Sequence, residues 1–194
     1  MKIYQMFSFV LILACIACQQ AKRPNEEQTP TEETGQVELT DSTIWGHLGV
    51  DTGMSSIEFI TDGNDTLKLY RTNPYTGEDG RFIGEVRNYN DCFGITLSAD
   101  EESFITAINT SQLCQTWASD EGSINLKSDG SIISKRLPYN GWKLMNGHIL
   151  LSSEQQLEYG ITTRIDTMDI IRLDEDTLVI ISNLNQRIIF SKKD

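Results

Sequence analysis

Short runs of strand-forming residues alternate with polar turns along most of the chain, and the pattern is clearest between residues 122 and 152. Asn146-Gly147 separates two such runs, and both residues tolerate the positive φ angles of a type I′ hairpin turn. A two-residue turn places Trp142 opposite Leu151, and directly opposed residues share a face of the sheet. The pattern therefore predicts a hairpin with Trp142 packed in a core beside Leu144 and Ile149. His148 has no second histidine, cysteine or carboxylate at ligand spacing in the sequence, so we expect no catalytic or metal-binding role for it.

The same pattern continues to the end of the chain. Asp129-Gly130 marks a second hairpin, which pairs Leu126 with Ile133 across a two-residue loop or with Ile132 across a three-residue loop. Further strand candidates lie at 161–165, 167–173, 177–182 and 187–191. Closely spaced antiparallel strands of this kind predict an up-and-down barrel over residues 114–194.

Residues 37–113 predict a separate small β domain. Two apolar runs, 57–60 and 67–70, flank the turn 62–65, and strand candidates follow at 82–89, 92–98 and 103–109. This spacing favours a small antiparallel barrel of the OB-like or SH3-like kind. The expected fold class is thus all-β, with two barrels. A net charge of −12 and the lack of a basic groove with stacking aromatics argue against nucleic acid as a partner.

The first residues have the composition of a targeting segment. Lys2 precedes an apolar stretch at 6–14 that is too short to span a bilayer, and Cys15 and Cys18 follow. This resembles a bacterial lipoprotein signal peptide, which implies cleavage and lipid attachment at a cysteine. The boundary with the polar tract favours a signal at residues 1–17 and a lipid on Cys18, with Cys15 as the alternative. Residues 18–36 then form a disordered tether.

The C-terminal half also carries a family resemblance. It rests on Thr116-Trp117, Asp129-Gly130, Gly141-Trp142-Lys143-Leu144 and Asp176-Thr177-Leu178-Val179, together with 123–126, 149–151 and 166–167. These residues resemble the lipocalin-like domain of gut-bacterial lipoproteins. The resemblance implies a lipocalin-like barrel and an outer-membrane lipoprotein of the cell envelope, facing the periplasm or the surface. The chain departs from the family at 134–140 and 155–160, so any binding is expected at the loops 134–140 and 154–160.

The side chains that could carry chemistry are few. Cys92 and Cys114 are the two cysteines beyond the signal segment, and an envelope compartment permits a disulfide between them, the alternative being two buried free thiols. Acidic turns at 62–65, 100–102 and 174–176 match no calcium loop, and no nucleophile or zinc motif occurs. We therefore expect no enzymatic activity, no cofactor and no metal. The predicted function is binding of a small ligand or partner protein, or, as the alternative, a structural subunit of an envelope complex without a pocket.

Overall fold

The structure is a computed structural model, which describes residues 40–86 and 89–193. These residues form fourteen β-strands and one short helix. The strands of the first half are β1 (Thr43–Leu48), β2 (Ser56–Thr61), β3 (Thr66–Tyr70), β4 (Arg81–Ile83), β5 (Cys92–Leu97) and β6 (Phe104–Asn109). The second half contains α1 (Thr110–Leu113), β7 (Thr116–Ala118), β8 (Ser123–Leu126), β9 (Ile132–Lys135), β10 (Tyr139–Met145), β11 (His148–Leu157), β12 (Gly160–Leu173), β13 (Thr177–Ser182) and β14 (Arg187–Lys192). Within the described residues, no helix has the length and hydrophobicity to cross a membrane.

Strands β1 to β6 form one sheet in the order β3-β2-β1-β5-β6-β4. The sheet is mixed rather than purely antiparallel, because β4 runs parallel to β6. A parallel bridge between Tyr70 and Ser103 also brings the end of β3 to the start of β6. The OB-like or SH3-like barrel expected for this half stays a prediction. Its core holds the alternate inward-facing side chains, among them Leu48, Phe59 and Phe93.

Two features of the first sheet differ from the sequence prediction. Strand β1 was not predicted, and its Gly46 lies so close to β2 that a Cβ there would meet the Ile60 carbonyl oxygen at 2.1 Å. The strand predicted at 82–89 ends at Ile83, because Gly84 adopts a φ of 93° and turns the chain away. Glycine is the residue that adopts this backbone conformation without strain.

Strands β7 to β14 form an almost closed antiparallel barrel of eight strands, as predicted. Consecutive strands are neighbours, and β14 pairs with β7 to close the circle. The seam lies between β9 and β10, which are joined by the bridge between Ser131 and Gly141. The inward-facing residues form one apolar cluster that includes Trp117, Trp142 and Phe190.

The predicted β10–β11 hairpin is confirmed. Asn146 and Gly147 have φ angles of 50° and 82°, and Trp142 lies opposite Leu151. Trp142 is only 7% exposed and belongs to the barrel core. In the second hairpin Leu126 pairs with Ile132, which is the second of the two registers left open by the sequence.

The hairpin turn docks on the first sheet. The side-chain oxygen of Asn146 accepts hydrogen bonds from the backbone N–H and the hydroxyl of Ser42, at 2.9 and 3.0 Å. The Asn146 N–H donates to the Thr43 hydroxyl at 3.0 Å, and Arg81 donates to the Ile170 carbonyl at 2.9 Å. Residues Leu39–Asp194 form one compact unit. The domain boundaries inferred from the sequence stay predictions.

Candidate functional site

Apolar side chains pack together in the interior of the barrel. Trp117 is fully buried, and its indole N–H donates to the Leu113 carbonyl at 2.9 Å. Leu137, in the β9–β10 turn, packs against the same core. A barrel of eight strands holds its own side chains or at most one small ligand. Two hollows outside the barrel core are described next.

A cleft of about 200 Å³ lies between the end of the barrel and the outer face of the first sheet. An adjoining hollow of about 340 Å³ shares part of its lining. Both are bordered by Trp45, Asp62, Ser128 and Trp142. The cleft also touches Gly46, Cys92, Phe93, Thr110, Ser111 and Cys114, and the hollow also touches Asp129, Gly130 and Lys143.

Trp45 forms one wall of the cleft and is 37% exposed, an unusual degree of exposure for a tryptophan in a strand. It lies directly opposite Gly94 in the β1–β5 pair. A Cβ built on Gly94 would lie 3.6 Å from the Trp45 ring and 2.7 Å from a methyl carbon of Leu144. The absent side chain at Gly94 therefore lets the barrel approach the sheet beside the indole.

Trp142 forms the facing wall. Its indole N–H donates to the Lys127 carbonyl at 2.8 Å, and its backbone N–H donates to the Gly130 carbonyl at 2.7 Å. These two bonds tie β10 to the β8–β9 turn and fix the ring. Trp142 therefore has the predicted packing role and also presents part of its surface to the cleft.

The two cysteines line the same cleft. Cys92 is exposed at the start of β5, Cys114 follows α1, and both are free thiols. Burial raises the pKa of the Cys114 thiol to about 11, with smaller contributions from Cys92 and Asp129. The disulfide considered from the sequence is not formed in this structure and stays a prediction for the oxidised protein. His47 lies opposite Cys92 in the sheet, a proximity that the sequence did not reveal.

The rim of the hollow is acidic. Asp62 and Asp129 border it, with Lys143 as the one cation of its lining. Hydrogen bonds from the Ser131 hydroxyl and backbone N–H hold the pKa of Asp129 below its ordinary value, so this carboxylate is ionised at neutral pH. The site therefore combines two aromatic walls with a negatively charged edge, which disfavours anionic ligands.

The carboxylates of two acidic turns accept hydrogen bonds from nearby backbone N–H groups. The Asp100 carboxylate accepts hydrogen bonds from the Ser98 hydroxyl and from the N–H groups of Glu102 and Ser103, and these bonds hold its pKa below the ordinary value. Asp174 accepts from the N–H of Thr177 in the same way. Within residues 40–86 and 89–193, no group of three or more His, Cys, Asp or Glu side chains is placed to hold a metal ion.

The loops predicted for binding lie at the other end of the barrel. Strand direction alternates along the chain, so the turn after β9 and the turn after β11 share the end opposite Asn146. Residues 154–160 are not a loop, since β11 runs to Leu157 and β12 starts at Gly160. A hollow of about 390 Å³ beside Lys135 and Arg136 borders the 134–140 segment. Cys18 and the tether lie outside the described residues.

The barrel half of the chain is similar to known proteins. Residues 111–193 match the model of the protein family described as Lipocalin-like. A lipocalin-like protein from Bacteroides thetaiotaomicron with a known crystal structure is 23% identical, and the match covers 42% of this chain and 97% of that chain with a TM-score of 0.36. No curated protein matches the chain. The residues that match this family, 111–193, are those that contain the eight strands of the barrel.

Proposed function

We propose that this protein is a lipid-anchored, non-enzymatic binding protein of the bacterial cell envelope, and that it holds a small planar ligand in the cleft between Trp45 and Trp142. Lipocalin-like domains are typically ligand-binding and non-enzymatic. The observation that carries the proposal is the pair of tryptophans facing one cleft beside a barrel whose interior is filled.

The ligand class follows from the lining. The half-exposed indole of Trp45 and the exposed edge of Trp142 supply apolar contact at low entropic cost, which suits a small, flat, mainly apolar molecule. Asp62 and Asp129 at the rim favour a neutral or positively charged ligand, because a cation gains from both the carboxylates and the aromatic faces. Ser128 and the backbone around Gly130 lie beside the same space and offer polar groups that can orient it.

A fluorescence titration with Nile red, a flat neutral dye, tests the cleft. Trp45→Ala should raise the Kd for the dye about tenfold, because one of the two aromatic walls is lost. Tyr75→Ala is the matched control, since Tyr75 is an exposed aromatic residue that does not line the cleft. The anionic dye 1-anilinonaphthalene-8-sulfonate should bind more weakly than Nile red. An unchanged Nile red Kd in Trp45→Ala, with folding verified by circular dichroism, would contradict the proposed site.

The lipid anchor has its own test. Cells fed an alkyne analogue of palmitate should label the wild-type chain and Cys15→Ala, because the predicted attachment site is Cys18. Cys18→Ala should lose the label. If the label persists in Cys18→Ala and disappears in Cys15→Ala, the lipid is attached to Cys15 instead. A wild-type chain without label would refute the anchor.

The alternative function, an interaction subunit without a ligand, is favoured by one observation. The barrel interior is filled, and large apolar side chains such as Leu157 and Tyr159 are exposed at its far end. Failure of the wild-type chain to bind Nile red saturably would support this alternative.

A further inference from the structure

Strands β11 and β12 extend beyond the rest of the barrel. Strand β10 pairs with β11 only as far as Ser153, and β13 pairs with β12 only from Met168 onward. Beyond these points the two strands pair with each other alone, up to Leu157 opposite Gly160. We call residues 154–167 the arm. Every residue from 154 to 165 is exposed, so both faces of the arm meet solvent.

No described strand pairs with the outer edge of β12 along the arm. In a strand paired on one side, the backbone groups of alternate residues point away from the partner and can receive another strand. Charged side chains, above all lysine, and proline usually protect sheet edges. Segment 160–167 contains no lysine or proline, and its two charged residues, Arg164 and Asp166, form an ion pair with each other. Five of these eight residues are Ile or Thr, which favour the strand conformation. A two-stranded ribbon on its own is only marginally stable in water, so added strands would stabilise the arm.

The side chains along this edge are complementary to those along the same edge of a second copy. Ile161 and Ile165 are 67% and 55% exposed, and they flank Thr163 on one face. Antiparallel pairing of two copies with Thr163 opposite Thr163 places each Ile161 opposite the other copy's Ile165. Moving the two-fold axis from Thr163 to Arg164 would set Arg164 against Arg164, and like charges directly opposite are destabilising.

We propose that the arm is a self-association surface, through which the β12 edges of two copies pair about a two-fold axis at Thr163. The two hairpins then form one continuous sheet, and each copy covers the other's exposed isoleucines. A symmetric contact of this kind closes on itself and gives a dimer rather than a filament.

The charge of the arm disfavours an anionic lipid surface as the occupant. Glu154 and Glu158 lie on the arm, and the chain carries a net charge of −12, so anionic headgroups would repel it. Two copies also repel each other at long range, but salt screens that repulsion. Dimerisation should therefore strengthen as the salt concentration rises.

Sedimentation of the full chain in mild detergent tests the surface. The wild-type chain should dimerise with rising concentration, and the double variant Ile161→Lys/Ile165→Lys should weaken the dimer about tenfold or more, because lysines guard the edge. Ile133→Lys/Ile189→Lys is the matched control, since both isoleucines are exposed on other strands. A monomeric wild-type chain, or equal weakening in both double variants, overturns the proposal.

A cysteine placed on the axis tests the register. Thr163→Cys should form a covalent dimer with oxidised glutathione, because opposed residues in an antiparallel pair lie within disulfide reach. Ser191→Cys, on the exposed face of β14, should not. Cross-linking through Ile165→Cys in place of Thr163→Cys would overturn the register. Arm variants that leave sedimentation unchanged but lose binding to another envelope protein would overturn self-association.

Discussion

The contact between Gly94 and Leu144 gives a sharp test of how the two sheets pack. Gly94 lies in β5 of the first sheet, and Leu144 lies in β10 of the barrel. A Cβ on Gly94 would stand 2.7 Å from a Leu144 methyl carbon, whereas carbon atoms in contact are normally about 3.5–4.0 Å apart. Leu144 is 2% exposed within the barrel core and has little room to move aside.

Gly94→Ala should therefore lower the free energy of unfolding by about 1–3 kcal/mol, which is the usual cost of an added methyl group in a packed core. Leu144→Ala should lower it by about 2–5 kcal/mol, through lost burial and the cavity left behind. In the Leu144→Ala background the clashing methyl group is gone. Gly94→Ala should then be neutral or stabilising by up to about 1 kcal/mol, because alanine restricts the unfolded chain.

Equilibrium unfolding in urea, followed by tryptophan fluorescence and circular dichroism, measures the cycle. Gly53→Ala is the matched control, because the nearest atom to a Cβ there is 3.9 Å away. We expect a coupling energy of at least about 1 kcal/mol between Gly94 and Leu144. Additivity of the two single substitutions within about 0.5 kcal/mol would refute the contact.

Two further predictions concern the same region. Asn146→Gly keeps the turn but loses the side-chain bonds to Ser42, so it should cost about 1–2 kcal/mol in urea unfolding, and an unchanged stability would show that the turn does not dock there. In the reduced chain at pH 8, iodoacetamide should modify the exposed Cys92 first, because a pKa of about 11 leaves Cys114 about 0.1% ionised, roughly a hundredfold less than a thiol with an ordinary pKa of 9.0. The rate at Cys114, read by mass spectrometry, should rise about tenfold per pH unit up to that pKa, and equal rates at pH 8 would contradict the shift. If neither cysteine reacts with iodoacetamide before reduction, the result would support the predicted disulfide.

The sequence predicted the elements whose turns have a specific chemistry. Asn146-Gly147 defined a hairpin, its register and the core face of Trp142, because two residues with positive φ leave little choice of turn. The count and order of strands in the barrel followed from similar signals. Residues 154–160 were misjudged as a loop, because their polar residues fit an exposed two-stranded ribbon equally well.

Strand β1 was missed for a different reason. Its run Thr43–Leu48 includes Gly46 and His47, which weaken a strand signal. Only the structure shows that Gly46 permits a close approach of the Ile60 carbonyl. With β1 missing, Trp45 had no assigned face, and the sequence could not place it beside Trp142. Contacts between distant segments leave no local periodicity, so the cleft could not be predicted.

The position of the cleft follows from the packing of the two sheets. The apolar pattern of the hairpin places Trp142 in the barrel core, and the loops at the far end are then the expected binding site. This expectation leaves out the first sheet, on which the turn beside Trp142 docks through Ser42 and Thr43. Gly94 allows Leu144 to approach, and Trp45 then stands beside the gap that remains. The glycine that lets the sheets pack is also the residue paired with Trp45, so variants at Gly94 should change stability and dye binding together.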